Sequence, residues 1–348
     1  MPFSDVHLLS KKSNVMMLLF SSLLGCTMDR TAESTYQTCA HDSIVFKSAP
    51  NETLSRLFIN GACITNDDNQ TIVLKGVSIA DPEHLDRKAD SGTSLKIFRQ
   101  AVAFGSSVIR VPLHKGDIPG WGLAEGINEY LDTYIDAIVD EAKIQGVYVI
   151  IDLHLVSDYL DDKKFVAEFW EETSQRYGYI PNVIFELYNE PIYPDSWNTW
   201  KTELLDPTLE IIRNHAPETL VIVGSPHWSG HMADALDNPV TLGPVAYTAH
   251  IYPEVPKYEL VANFERMLGR LPLVVTEWGF NTQSVYPLRG DRKTFGEPLV
   301  NKMAMHGISW TAWIYDSNWG QSIMNEKWQL QSGDDFMGEL VFEQLNSN

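Results

Sequence analysis

Val183-Ile184-Phe185-Glu186-Leu187-Tyr188-Asn189-Glu190-Pro191 opens as a short β-branched and aromatic run and passes directly into an amide, a carboxylate and a proline. The first half has the composition of a buried strand and the second half supplies polar groups where that strand would stop. Seven further runs share the first property: Leu74–Val77, Val108–Val111, Val147–Leu153, Leu220–Val223, Val245–Ala249, Leu273–Thr276 and Ile308–Ile314. Between them lie longer stretches, such as Ile127–Ile144, Phe165–Tyr177 and Trp197–His215, whose apolar residues recur at three and four and so present one face to a sheet. Alternation of this kind within one domain predicts an α/β fold, a closed (β/α)8 TIM barrel. An open doubly wound nucleotide fold is disfavoured, because no Gly-x-Gly-x-x-Gly follows the first strand.

Barrels of this type place their chemistry at the C-terminal ends of the strands. Those ends read Ile109-Arg110-Val111-Pro112-Leu113-His114, Asp152-Leu153-His154, Leu187-Tyr188-Asn189-Glu190-Pro191, Ala249-His250-Ile251-Tyr252, Thr276-Glu277-Trp278-Gly279 and Thr311-Ala312-Trp313. Carboxylates ending the fourth and seventh strands face each other across the mouth, the arrangement that glycosidic cleavage needs: one carboxyl protonated to assist the leaving oxygen, one ionised to attack the anomeric carbon. Each residue alone has a plainer reading. A glutamate after a strand is commonly a solvated loop residue, His154 or His250 a structural histidine, Arg110 a rim ion pair and Trp313 core. The combination at six strand ends is what carries the functional reading.

The set resembles glycoside hydrolase family 5, the cellulase and mannanase family, over roughly residues 57–345. Asn189-Glu190-Pro191 with the second glutamate, Glu277, carries the resemblance, joined by Arg110, His154, His250, Tyr252 and Trp313. It implies a retaining endo-β-1,4-glycanase without cofactor or metal, with Glu190 as acid/base and Glu277 as nucleophile. The substrate-binding residues implied are Arg110 and Tyr252 against Glu277, Asn189 toward the 2-hydroxyl, His154 and His250 orienting the sugar and tuning Glu190, and Trp313 as an apolar floor. Glu277 is expected to raise the pKa of Glu190 by like-charge repulsion. Trp121, Trp228, Trp278 and Trp319 are candidates for further subsites, with core packing open for each. Lys75-Gly76-Val77-Ser78-Ile79-Ala80-Asp81-Pro82 and Gly333-Asp334-Asp335-Phe336-Met337-Gly338 resemble mannan-directed members. His154-Leu155-Val156-Ser157-Asp158 and Ile222-Val223-Gly224 resemble bacterial cellulases, and mannan is placed ahead of cellulose. A metal-dependent barrel hydrolase using His114, His154 and His250 is the alternative from another reaction class, although a His-x-His pair ending the first strand is absent. A non-catalytic carbohydrate-binding barrel is a third reading, against which both glutamates speak.

The formal charge of −20 repels phosphate backbones, so nucleic acid is excluded as a partner and a neutral β-1,4-linked polysaccharide or oligosaccharide suits the surface. The enzyme is expected to be monomeric. Residues 1–26 read as a lipoprotein-type signal peptide: Lys11 and Lys12, an apolar run too short to span a bilayer, then Leu23-Leu24-Gly25-Cys26. An ordinary export signal is the alternative. Residues 27–56 read as a tether and 57–348 as the catalytic domain, which makes the protein an exported, surface or outer-membrane lipoprotein attached to membrane only through Cys26. If Cys26 is lipidated, Cys39 and Cys63 remain as an even pair, either bonded or as two separate thiols. Phe58-Ile59-Asn60-Gly61 and Thr71-Ile72-Val73-Leu74, flanking Asn66-Asp67-Asp68-Asn69, are expected to form a hairpin on the barrel floor.

Overall fold

The computed structural model describes residues 39, 43–47, 49–88, 92–116, 122–123, 126–254 and 260–347. The leader with Cys26, most of the expected tether and Trp121 lie outside the described residues. Eight strands close into a parallel barrel: β1 Lys75–Ser78, β2 Val108–Leu113, β3 Tyr148–Leu153, β4 Val183–Glu186, β5 Val221–Val223, β6 Val245–Ile251, β7 Leu273–Trp278 and β8 Ser309–Ala312. Every residue of these strands is buried, which explains why they read as continuous apolar runs.

Alternation along the strands separates two apolar layers. Val108, Ile150, Ile184, Ile222 and Val274 pack together in the lower barrel with Ile64, Ile72 and Leu74 from below. Their neighbours Ile109, Ile151, Phe185, Val223 and Val275 face outward against Phe98, Phe169 and Trp170 of the helical shell. The helices expected over 127–144 and 197–215 each form with one π turn in their length, at Leu131–Ile135 and Lys201–Leu205. The first ends at Gly146, whose φ of 69° and whose approach to the Ala49 carbonyl, 2.0 Å from an added Cβ, admit no side chain.

The floor differs from the expected hairpin. Phe58–Asn60 pairs antiparallel with Cys63–Thr65, turning on Gly61-Ala62, with φ of 61° at Gly61. Asn66–Gln70 is a second reversal, closed by the Asn66 backbone amide on the Gln70 carbonyl at 3.0 Å, which leaves only a Thr65–Thr71 bridge. Ile72–Val73 pairs instead with Ile44–Val45, in parallel. Residues 44–47 and 49–56, expected as tether, therefore lie against the floor; Leu54 is buried there and Phe46 packs edge-on to Tyr148 at 5.3 Å. Cys39 and Cys63 form a disulfide, S–S 2.13 Å and Cα–Cα 5.4 Å. Among the described residues no helix is long and apolar enough to cross a membrane.

The disulfide closes a loop across a sequence separation of 24. In the chain-entropy account, removing it costs about 3.5 kcal/mol. Cys39→Ser/Cys63→Ser is expected to unfold at lower urea, with a slope at least as steep as wild type because its unfolded chain is no longer cross-linked. Equal midpoints for variant and wild type would contradict this.

Candidate active site

Above the apolar layer, the inward positions of the same strands turn polar. Two residues beyond Val108, Ile150, Ile184 and Val274 come Arg110, Asp152, Glu186 and Thr276, all fully buried. A guanidinium with no solvent must be surrounded by acceptors. Arg110 donates from Nε to Glu186 Oε2 at 2.6 Å, from Nη1 to Glu277 Oε1 at 2.7 Å, and from Nη2 to Asn189 Oδ1 at 2.7 Å, with Asp152 Oδ2 at 3.0 Å. Burial works against its charge, but Asp152, Glu186 and Glu277 outweigh burial and raise its pKa. Burial likewise opposes ionisation of Glu186, yet Arg110 and His250 hold it at about 2. Asp152 goes the other way: burial, with the charges of Glu186 and Glu277, pushes it well up against the pull of Arg110.

The two glutamates at the mouth have unequal partners. Glu190 continues β4 beyond its regular end, pairing beside Val156 and donating its amide to the Leu155 carbonyl at 2.9 Å. Gly224, after β5, leaves room for Ser229: a Cβ there would meet Ser229 Oγ at 2.4 Å, and Ser229 Oγ donates to the Asn189 carbonyl at 2.8 Å. Glu190 Oε1 lies 2.7 Å from His250 Nδ1. Glu277 accepts from Arg110 and, at Oε2, from the Tyr252 hydroxyl at 2.8 Å. A register shift between β6 and β7 after Thr248 sets His250 opposite Glu277, leaving Nδ1 3.6 Å from Glu277 Oε2.

Burial is the main cause that lifts the Glu190 pKa, opposed by His250, and Glu277 adds to the rise by like-charge repulsion. His250 is raised to about 10 because Glu277, Glu186 and Glu190 together overcome its burial. Arg110 and His250 are thus pushed toward their cationic forms and Asp152 and Glu190 toward their protonated forms, while Glu186 is held as the anion.

Among the other expected residues, His154 pairs with Asp152 at 2.6 Å, is kept neutral by burial, and stacks on Trp313 at 5.2 Å and 5°. Trp313 also meets Arg110 at 5.7 Å and Trp319 edge-on at 5.6 Å. Trp228 is exposed, whereas Trp278 is core, packed on Trp310, and is withdrawn as a subsite. His114 and His154 are in ring contact at 4.6 Å, but with His250 they form no ligand-spaced group: their Nδ1 atoms face Asp81, Asp152 and Glu190 respectively. The ligand-capable grouping at the mouth is instead Glu190, His250 and Glu277, one donor atom of each within 4.8 Å of the others. Asp152, Glu186 and Thr276 were not singled out from sequence. The signal was an ionisable or hydroxyl residue at an inward position of an otherwise apolar strand, and Thr276 Oγ1 donates to Glu186 Oε1 at 2.7 Å.

A closed parallel barrel with two carboxyls, an arginine and two histidines at its mouth defines a barrel of the glycosidase type. The family model for Cellulase (glycosyl hydrolase family 5) matches residues 65–319, and the chain belongs to that family. Endoglucanase Z of Dickeya dadantii is 32% identical over 190 residues, 54% of this chain and 44% of that protein. Endoglucanase N of Pectobacterium atrosepticum is 29% identical over 277 residues, 76% and 58% respectively. The chain thus spans about half the length of the curated relatives it matches. Among solved structures, the β-glucanase SdGluc5_26A of Saccharophagus degradans superposes with a TM-score of 0.72 at 25% identity, covering 84% of this chain and 93% of that one, and has also been solved with cellotetraose. The catalytic domain of Thermobifida fusca endoglucanase Cel5A gives 0.71 at 22% identity, covering 84% and 97%.

Removing Arg110 strands carboxylates in the barrel. Arg110→Met is expected to lose about 3–5 kcal/mol at pH 7. Glu186 is held down at about 2, below its ordinary value of 4.5, so its stabilising ionisation is complete above pH 4.5 and is lost as pH falls toward 2. The gap between variant and wild type should therefore narrow in acid. Urea unfolding at pH 7 and pH 3 checks this, and a gap of equal size at both would contradict it.

Proposed function

We propose that the protein is a retaining endo-β-1,4-glucanase in which Glu277 attacks the anomeric carbon and Glu190 serves first as acid and then as base. The observation that carries the reading is the pair itself. A carboxyl oxygen of Glu190 lies within 4.8 Å of one of Glu277. Direct attack needs carboxyl groups about 5–5.5 Å apart, whereas inversion leaves about 6.5–9.5 Å for a water. Their surroundings divide the work: burial favours a protonated Glu190, while hydrogen bonds from Arg110 and Tyr252 hold and aim Glu277.

In the first step Glu190 gives its proton to the glycosidic oxygen as Glu277 forms the glycosyl ester. In the second, Glu190, now a carboxylate, takes a proton from water, which attacks the same carbon and releases Glu277. His250, raised to about 10, stands beside Glu190 and stabilises that transient anion. Because its Oδ1 accepts from Arg110, Asn189 is fixed with its amide nitrogen as the donor for the 2-hydroxyl. Trp313, backed by His154, is the platform for the attacked sugar.

The mannan preference expected from sequence gives way to glucan, since the relatives carry endoglucanase and β-glucanase names and one has been solved with cellotetraose. The leader still reads as an export signal with anchoring at Cys26, and the Cys39–Cys63 disulfide supports an oxidising compartment.

Reducing ends released from carboxymethyl cellulose and from soluble β-1,4-mannan test the substrate. Glucan is expected to be cleaved at least about tenfold faster, and equal or reversed rates would overturn the glucanase reading. The roles separate with azide. Glu190→Ala should keep a fast first step on aryl glycosides with good leaving groups and yield the β-azide, while Glu277→Ala should lose turnover and yield the α-azide. Exchanged products would reverse the assignment.

A further inference from the structure

The carboxyls of Glu190 and Glu277 are held in different ways. Glu277 is aimed by two side chains, Arg110 and Tyr252, whereas among the described residues the Glu190 carboxyl bonds one, His250 at 2.7 Å. Where the Glu190 carboxyl sits therefore depends on its backbone. That backbone is a short parallel bridge, with Glu190 opposite Val156 and Pro191 opposite Ser157. The Glu190 amide bonds the Leu155 carbonyl and the Ile192 amide bonds the Ser157 carbonyl, both at 2.9 Å. The pair forms a sheet of its own, apart from the barrel, and a two-stranded pairing this short needs support from outside itself.

The support converges on Asp162. Ser157 Oγ donates to Asp162 Oδ2 at 2.5 Å, the Tyr188 hydroxyl lies 3.0 Å from the same oxygen, and the two hydroxyls are 2.6 Å apart. Two hydroxyl protons in a triangle of three oxygens require one oxygen that only accepts, which a carboxylate supplies. Asp162 Oδ1 accepts from Lys115 Nζ at 2.6 Å, which ties in the loop after β2. Burial opposes the charge of Asp162, but hydrogen bonds from Lys115, Ser157 and Tyr188 outweigh it and lower its pKa. Asp162 also stands at the N-cap of the helix Lys163–Tyr177, yet its side chain caps none of the helix amides. An aspartate there ordinarily bonds the first free amides; this one is turned to Ser157 and Tyr188 instead. Ser157 lies opposite Pro191 and Tyr188 precedes Glu190 by two residues, so one carboxylate grips the chain on both sides of Glu190. The Tyr188 ring is itself buried, edge-on to Trp200 at 5.5 Å.

On the reading that Glu190 is the acid/base, we propose that Asp162 is its positioning residue: through Ser157 and Tyr188 it locks the bridge that carries Glu190. It acts on protonation of the leaving oxygen and not on attack by Glu277.

Two substrates separate these steps: 2,4-dinitrophenyl β-cellobioside, whose phenolate departs without a proton, and carboxymethyl cellulose, whose leaving sugar needs one. In kcat/KM, Asp162→Asn is expected to lose at least about tenfold on the polysaccharide and less than about twofold on the aryl glycoside. Ser157→Ala and Tyr188→Phe, which keep the carboxylate and the ring packing, should show the same split, with a loss of about threefold or more on the polysaccharide. Ser157→Thr keeps the hydroxyl and should match wild type. Glu190→Ala, measured alongside, tests the underlying reading: equal losses on both substrates there would overturn the acid assignment and this proposal with it. With the split present in Glu190→Ala, equal losses on both substrates in the network variants, or no loss in any of them, would overturn the positioning role alone. Should Asp162→Asn not fold, the two hydroxyl variants decide in the same way.

Discussion

Arg110 is the constraint around which the upper barrel is arranged. It is fully buried, its guanidinium reaches β3, β7 and the residues at and just beyond the end of β4, and each contact is a short charge-assisted bond at 2.6–3.0 Å. A buried cation of this kind fixes geometry more than it adds stability, because its desolvation offsets much of its attraction. What it specifies is position: Glu277 on one side, Asn189 on another, and Glu186 beneath. Glu186 then orders Thr276 at 2.7 Å, so the layer under the mouth is one connected polar network on a dry apolar floor.

That network also gives two carboxyls a few ångströms apart different surroundings. Like charge alone does not decide which of them keeps the proton. Glu190 has a histidine as its partner, whereas Glu277, the more buried of the two, faces a permanent cation and a phenol. Asp152, whose pKa burial also pushes up, pairs with the neutral His154 at 2.6 Å. The asymmetry is thus built one layer below the reacting groups.

The barrel was legible in the sequence because strands buried on both faces leave continuous β-branched runs, and all eight lie where those runs fall. The residues at the mouth were legible because polar groups follow those runs directly. Less could be read where pairing depends on a choice between turns: Gly61-Ala62 closed the floor hairpin, and the Asn66 reversal redirected Ile72–Val73 to Ile44–Val45. The supporting layer was missed for a different reason. Asp152 and Glu186 sit inside strands, where sequence shows a charge but not the cation beside it, and Arg110 belongs to a strand distant in sequence. Trp278 ends a strand as Trp313 follows one, yet it turns outward into the shell against Trp310, a matter of alternation that composition does not reveal.

The central claim is that Glu277, aimed by Arg110 and Tyr252, forms a covalent bond to the sugar. An activated 2-deoxy-2-fluoro cellobioside slows both steps but, with its good leaving group, lets the ester accumulate. Mass spectrometry of the intact protein followed by peptide mapping should show one added glycosyl unit on the peptide carrying Glu277. A label on the Glu190 peptide, or turnover of the reagent with inversion and no label at all, would contradict the account.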